Sequence, residues 1–320
     1  MAISRSRVVR KLIHLPVVGR HLQRAHDSWL SQYLRASYGA RNWSARRALA
    51  HHQPELTPVQ QAAVHSLREH GFAAVHCSEL LADPSLWQAI ERDVRAWVDE
   101  PEHAARVTAY KNGALDAAAG KPYEIKRYSD KPVLGPDHLF LRFGVQHELL
   151  DIVNSYLGVM AQLLHVDAWH TIPRGRETQR IKSQNWHRDP EDFRLVKVFC
   201  YLTDVDEASG ALEYIRGSRK GERYGSIAPQ ATPYGNRPDP DVVDAEVAPD
   251  DRVVCAFPAG TFVFADTTGL HRGGHAKTKE RLLTTWEYVT PASWYDRHFR
   301  VDDVASDRSL STAQAHALAW

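Results

Sequence analysis

Cysteine is scarce in this chain: Cys77, Cys200 and Cys255 are the only three in 320 residues. They are far apart, odd in number and lack the paired spacing of a zinc finger. That excludes a disulfide scaffold and reads as reduced thiols of an intracellular protein. No run approaches eighteen apolar residues, so no transmembrane helix is predicted. Internal repeats and low-complexity tracts are also missing. What remains is an ordinary globular composition, 43% hydrophobic and 25% charged. A chain of this length buries about three quarters of its unfolded surface and needs no staples to fold.

The net charge is only +1, yet it is unevenly spread. Residues 1–50 hold ten Lys and Arg against the single acid Asp27, a balance of +9, and the remainder holds 30 basic against 38 acidic residues, a balance of −8. Three readings of the basic leader stay open. It is a segment that makes weak contact with an anionic membrane surface, a mitochondrial transit peptide if the source is eukaryotic, or a helical extension docked on the body. With the rest of the chain acidic, nucleic-acid binding is not expected. The break in charge and the linker around Gln53-Pro54 predict that residues 1–50 can be removed without loss of folding. The chain accordingly divides into a basic extension over 1–55, a catalytic-type domain over 56–295 and a tail over 296–320. A cytoplasmic location follows unless the leader is a transit peptide, and the oligomeric state is open.

Thr57 with Pro58 behind it is a helix start, and Val59, Ala62, Ala63 and Leu67 have helical spacing up to the stop at Gly71. A second helical pattern spans 80–98 and a third spans 147–157, closed by Gly158. Residues 101–145, punctuated by Gly and Pro, read as loops with a short strand at 123–128. Beyond residue 160 the chain turns to short β-type runs: 161–172, 181–187, 195–202, 211–215, 261–265 and 282–289. Helices followed by many short strands predict an α+β, mainly β protein with helices packed on a sandwich or barrel. The Pro-, Gly- and Asp-rich stretch 221–249 has the length of a lid or substrate loop.

The sharpest signal is Trp186-His187-Arg188-Asp189. On a strand, the two-residue spacing puts the His187 imidazole and the Asp189 carboxylate on one face. Together with one more histidine they form a two-histidine, one-carboxylate set, which suits iron(II) because it leaves coordination positions open. The later run Phe262 to Gly274 supplies that histidine: an apolar strand, a turn at Asp266, then His271 and two glycines that allow close backbone approach to a bound group. His275 is its rival. Arg281, ten residues past His271, can hold a carboxylate with its two-pronged fork. Lys126, on an early strand, and Asn185, on the face of His187, are further candidates for the co-substrate. Lys197 reads as an outward-facing lysine of an apolar strand, and Glu287 and Asp204 as structural.

Over residues 56–292 the sequence resembles the phytanoyl-CoA dioxygenase family of iron(II)/2-oxoglutarate oxygenases. The resemblance rests on Gly71-Phe72, the His187 to Asp189 motif, Tyr201-Leu202-Thr203-Asp204, Ser209 to Leu212, Arg216-Gly217-Ser218, Asp266 to His271 and Arg281. It implies a double-stranded β-helix, or jelly roll, with flanking N-terminal helices. It also implies iron(II) on His187, Asp189 and His271, 2-oxoglutarate on Arg281, and ascorbate as a candidate reductant. The implied reaction uses O2 and converts 2-oxoglutarate to succinate and CO2 while a small-molecule substrate is oxidised. The carboxylate of Asp189 argues for hydroxylation or a related oxidation over halogenation. Two other classes compete: a non-catalytic jelly roll with a structural metal, and a binding protein recruited to membranes by its leader.

Overall fold

A computed structural model describes residues 18–114, 121–128, 131–135, 137–175, 179–301 and 310–319. The chain opens with helices α1 (Val18–Arg41), α2 (Trp43–His51) and α3 (Pro58–His70), followed by strand β1 (Phe72–His76). Helices α4 (Cys77–Leu80), α5 (Ser85–Val98) and α6 (Pro101–Lys111) then lead to β2 (Glu124–Lys126), β3 (Val133–Leu134), α7 (Leu139–Gly144) and α8 (His147–Leu157). The second half is mostly strand: β4 (Gln162–Thr171), β5 (Leu195–Tyr201), β6 (Leu212–Ile215), α9 (Pro240–Glu246), β7 (Arg252–Cys255), β8 (Thr261–Ala265), β9 (His271–Arg272), β10 (Arg281–Val289), β11 (Arg300–Val301) and α10 (Thr312–Leu318).

The strands form two main sheets. The larger has the order β1-β8-β5-β10-β4-β2 with antiparallel neighbours, and the smaller has the order β7-β6-β9. The non-sequential neighbours are the crossed connections of a jelly roll. β10 shows why the two faces of the large sheet differ. Leu282, Trp286 and Tyr288 point to the helices and join Leu67, Trp87, Ile90, Phe140 and Phe143 in the main core. The alternate residues Arg281, Leu283, Thr285 and Glu287 point into the barrel. One strand thus carries the core on one side and a polar cavity wall on the other.

The helix starts follow local chemistry. At α3, Thr57 and Gln60 form a reciprocal capping box, and Gly71 ends the helix in the left-handed conformation (φ 83°). A side chain at Gly71 would also collide with Tyr214, because its Cβ would lie 2.3 Å from the Tyr214 hydroxyl.

Several expectations need correction. The helix expected from residue 80 begins at Ser85, where the Asp83 carboxylate accepts the Ser85 N–H (2.9 Å) and Pro84 follows it. Residues 101–145, read as loops, contain α6 and α7. The run 181–187 is not a strand: Lys182–Gln184 is a single 3-10 turn, closed by Gln184 accepting the Ile181 N–H at 3.1 Å. Only His187 and Arg188 there make strand-type bridges.

The basic leader is docked on the body along the second half of α1 and through α2: Leu34 is buried, Arg35 and Tyr38 pack on Phe193, and Tyr38 bonds to Thr290. Arg41 donates to the Ser293 carbonyl (2.9 Å), and buried Asn42 donates to Thr290 Oγ1 (3.1 Å) while accepting the Ala292 N–H (3.0 Å). Ala45 and Leu49 belong to the main core. Among the described residues, no helix is long and apolar enough to cross a membrane. The packing of α2 contradicts the expectation that residues 1–50 are dispensable. Asn42→Ala removes two buried hydrogen bonds, to Thr290 Oγ1 and from the Ala292 N–H, and leaves that N–H only its longer bond to Thr290 Oγ1 (3.2 Å). At roughly 0.5–1.5 kcal/mol each, the loss is expected to cost about 1–3 kcal/mol, seen as a lower thermal midpoint. A chain starting at Leu56 should melt lower still, and unchanged midpoints for both would show that α2 is not docked.

Candidate functional site

His187 and His271 lie directly opposite one another. Each donates its backbone N–H to the carbonyl of the other, at 2.9 and 3.1 Å, in a hydrogen-bonded antiparallel pair. The imidazoles therefore leave the backbone side by side, with ring centroids 4.2 Å apart. Asp189, two residues on, is fixed by its own N–H to the Thr267 carbonyl (3.0 Å). Its carboxylate lies 3.6 Å from His187 Nε2 and 3.4 Å from His271 Nε2. The three ligand atoms all fall within 4.8 Å of one another.

The outer nitrogens decide what this cluster can bind. His187 Nδ1 donates to the Asn185 carbonyl (2.9 Å) and His271 Nδ1 to the Gly269 carbonyl (3.0 Å). A carbonyl can only accept, so each ring carries its proton on Nδ1 and turns the Nε2 lone pair toward Asp189. Burial, reinforced by the neighbouring His271, pulls the His187 pKa down to about 3, which keeps the imidazole neutral. Burial pushes the Asp189 carboxyl upward, but the Lys197 ammonium outweighs it and holds it well below the usual range. Two imidazoles held through Nδ1 and one carboxylate, all aimed at one point, fit a divalent metal of the iron(II) type with open positions.

Asn185 meets the site through its carbonyl and is not among the residues lining the cavity. His275 stands apart from the cluster, beside a different cavity. Of the paired glycines after His271, Gly274 serves the chain itself, since a Cβ there would lie 2.1 Å from the Ala211 carbonyl oxygen, whereas Gly273 lines the metal cavity. The 221–249 loop contributes no residue to this cavity. It is held on the other side of the strand, where Gln230 donates to the Asp189 and Asp192 carbonyls and Asn236 pairs with Arg188.

The metal cluster opens into a cavity of about 220 Å³ between the sheets. Arg281 stands at one end, buried, with Nη1 donating to the Gly210 carbonyl and Nη2 to Thr171 Oγ1 (3.3 Å). Its Nε has no partner, and no carboxylate among the described residues pairs with it. A buried guanidinium with spare donors and no carboxylate in ion-pair contact is a receptor for an anion. Lys126 also lines the cavity, lying over the Trp169 ring (4.3 Å) with Glu124 3.8 Å away.

The opposite end holds residues that sequence reasoning missed. Lys197 is not an outward-facing lysine: it points into the cavity, its side chain only 15% exposed, with Nζ 2.7 Å from Asp189, 3.4 Å from Glu287 and 3.7 Å from Glu191. Glu287 sits directly across from Lys197 on one neighbouring strand and from His165 on the other. Burial raises the pKa of both glutamates, Glu287 strongly because Glu191 adds repulsion. One oxygen of each carboxylate is buried without a partner. The signal was in the alternation of β5, where Lys197, Phe199 and Tyr201 share the inner face. It was masked because isolated lysines on strands are usually solvent-facing.

Purified protein is expected to bind one iron(II) per chain, measured by metal analysis after dialysis. His187→Ala and His271→Ala should lose most of it while His275→Ala keeps it; the reverse for the last two would reassign the distal ligand. Lys197→Met leaves three clustered carboxylates, two of them buried, without their shared cation. It is expected to destabilise the metal-free protein by about 3–5 kcal/mol, with part of the loss recovered on adding iron(II). A loss that metal does not reduce would show that the carboxylates are not compensated through Asp189.

Comparison with known proteins follows the same lines. The family description phytanoyl-CoA dioxygenase (PhyH) matches residues 67–281, more than half of the chain. No curated protein matches significantly. Among solved structures, EctD from S. alaskensis with bound Fe is 15% identical, with 78% of this chain and 84% of that chain covered and a TM-score of 0.49. HygX from Streptomyces hygroscopicus with nickel and 2-oxoglutarate bound is 17% identical, over 76% and 90% of the two chains, with a TM-score of 0.47. The epimerase SnoN in complex with Fe3+, alpha ketoglutarate and nogalamycin RO is 15% identical, over 75% and 86%, with a TM-score of 0.44. On the family match and the residues assembled here, this chain belongs to the phytanoyl-CoA dioxygenase family and is a non-haem iron, 2-oxoglutarate-dependent oxygenase.

Proposed function

We propose that the chain holds iron(II) on His187, Asp189 and His271, anchors the distal carboxylate of 2-oxoglutarate on Arg281, and oxidises a C–H bond of a polar small molecule. The observation that carries this reading is the pairing of two features in one cavity: a converging His-Asp-His set and, at the Arg281 end, a buried guanidinium with no acidic partner. The bound metal supplies oxygen activation, coupled to conversion of 2-oxoglutarate to succinate and CO2.

The protein's own residues divide the remaining work. The Asn185 and Gly269 carbonyls orient the imidazoles. Lys197 keeps Asp189 ionised and its carboxylate in place. Asp189 occupies the position that a halide would need, which favours hydroxylation or a related oxidation. Phe199, Tyr201 and Leu283 wall the cavity and exclude water along the path from Arg281 to the metal cluster. At the far end, the unpaired oxygens of Glu191 and Glu287 can accept from hydroxyl or amine donors of the substrate. Lys126 is a second cation on the co-substrate side.

The direct test is oxygen-dependent release of succinate from 2-oxoglutarate, with and without added iron(II). No release under any condition would remove the catalytic reading. Arg281 offers a sharper one. Losing one partner of a buried charge-assisted pair typically costs about 2–5 kcal/mol, or on the order of 30- to several-thousand-fold in affinity. Arg281→Leu should weaken anaerobic 2-oxoglutarate binding by that factor and leave iron binding nearly intact. Arg281→Lys should recover only part, because lysine keeps the charge and loses the fork. Unchanged affinity in Arg281→Leu would move the anchor to Lys126.

A further inference from the structure

A second cavity, of about 810 Å³, lies on the other side of the His187–Asp189 strand and shares no lining residue with the metal cavity. Adjacent residues of an extended chain point to opposite faces, so Asp189 lines one cavity and Arg188 the other. The volume falls in the range of small-molecule sites, roughly 300–1,000 Å³.

Its charge is one-sided. Arg35, Arg68, Arg188, Arg194, Arg219 and Lys220 all line it, against only Glu222 and Asp266. Glu222 is engaged by Arg219, and Asp266 accepts from Tyr156 and Thr268. Among the described residues, the other five cations have no ion-pair partner. Arg68 and Arg194 donate to the Ser155 and Tyr156 carbonyls, at 3.0 and 2.7 Å, and Arg35 lies over the Phe193 ring.

Arg188 is the most informative. It is only 3% exposed. Its guanidinium donates to five backbone carbonyls, of Ala228, Ser218, Thr268, Tyr224 and Ile227, and to no carboxylate. Burial pulls its pKa down to about 10 and leaves it charged near neutrality. Its hydrogen bonds are thus satisfied, while the two carboxylates whose charge reaches it, Asp266 and Glu222, form no ion pair with it and are outnumbered by the cations around the cavity, in a place where water screens little. The exposed arginines and Lys220 add spare donors at the mouth. This concentration runs against the rest of the body, which is net acidic beyond residue 50.

We propose that this cavity binds a small anion carrying more than one negative charge, of the phosphate-ester or pyrophosphate class. Arg188 supplies a fixed field at the base, Arg35, Arg194 and Lys220 supply donors, and Tyr38, Phe193 and Tyr156 supply flat surfaces for the remainder of the molecule. The Arg188 guanidinium is also tied to carbonyls of the 218–228 stretch, so a bound anion would sit against the segment whose Gln230 supports Asp189.

The test is calorimetric titration of the full-length protein with inorganic tripolyphosphate, using the combined variant Arg35→Ala, Arg194→Ala, Lys220→Ala as control. We expect saturable binding that weakens with salt and falls at least tenfold in the variant. The variant's circular dichroism and iron content should be unchanged. Arg281→Leu should bind tripolyphosphate like the parent protein. Absence of saturable binding overturns the proposal, as does binding lost in Arg281→Leu but kept in the triple variant, which would put the anion in the metal cavity. Vesicles of phosphatidylcholine and phosphatidylserine form the second arm. Co-sedimentation that depends on the three cations, with no tripolyphosphate binding, would assign the charge to a lipid surface and overturn the pocket.

Discussion

The two backbone hydrogen bonds between His187 and His271 hold the site together. Everything chemical depends on them: they set the imidazoles side by side, and the Asp189 carboxylate then falls between the two rings. The pair is short, two bridging residues rather than a long ladder, so its position is secured from outside. Tyr214 on the next strand pairs with His271, and its hydroxyl donates to the Asp266 carbonyl at 2.8 Å. The large side chain of Tyr214 fills the space that Gly71 and Gly269 leave open. A turn at the start of the sheet, a core tyrosine and the distal histidine are thus parts of one packed unit.

The cavity is electrically polarised along β10. Arg281 and Glu287 lie on the same face six residues apart, roughly 20 Å at ~3.3 Å per residue. Near Arg281 cations outnumber the one acid, Glu124, which is taken up by Lys121 and Lys126; near Glu287 several carboxylates share one lysine. Each imbalance calls for a ligand of the opposite character, an anion at one end and hydrogen-bond donors at the other, with the metal cluster between. Lys197 links the two functions because its ammonium contacts both a metal-cluster carboxylate and the far-end glutamates.

The N-terminal helices belong to the same economy. Asn42 is tied to the end of β10 through Thr290 and Ala292, and Thr290 in turn donates to buried Asp192 beside the Asp189 segment. The basic leader therefore does more than add charge. Through Arg35 and Tyr38 it also supplies one wall of the arginine-rich cavity.

What the sequence determined by itself was the chemistry with a short-range signature. His187-Arg188-Asp189, the turn before His271 and the place of Arg281 at a strand head are local patterns, and the alternation of apolar residues marked most strands of the sheets. The capping pair Thr57 and Gln60 fixed a helix start in the same local way. Only the tertiary structure decided which way Lys197 faces, that Glu191 and Glu287 share its charge, and that residues 181–186 turn instead of pairing. It also decided that the 221–249 loop lies behind the metal strand and that α2 is built into the core. The reason is common to all of these: the burial of a lone charge, the pairing of a short polar segment and the docking of a basic helix depend on partners more than a hundred residues away or on other strands. No local pattern of side chains encodes which of those partners the closing of the two sheets will bring within reach.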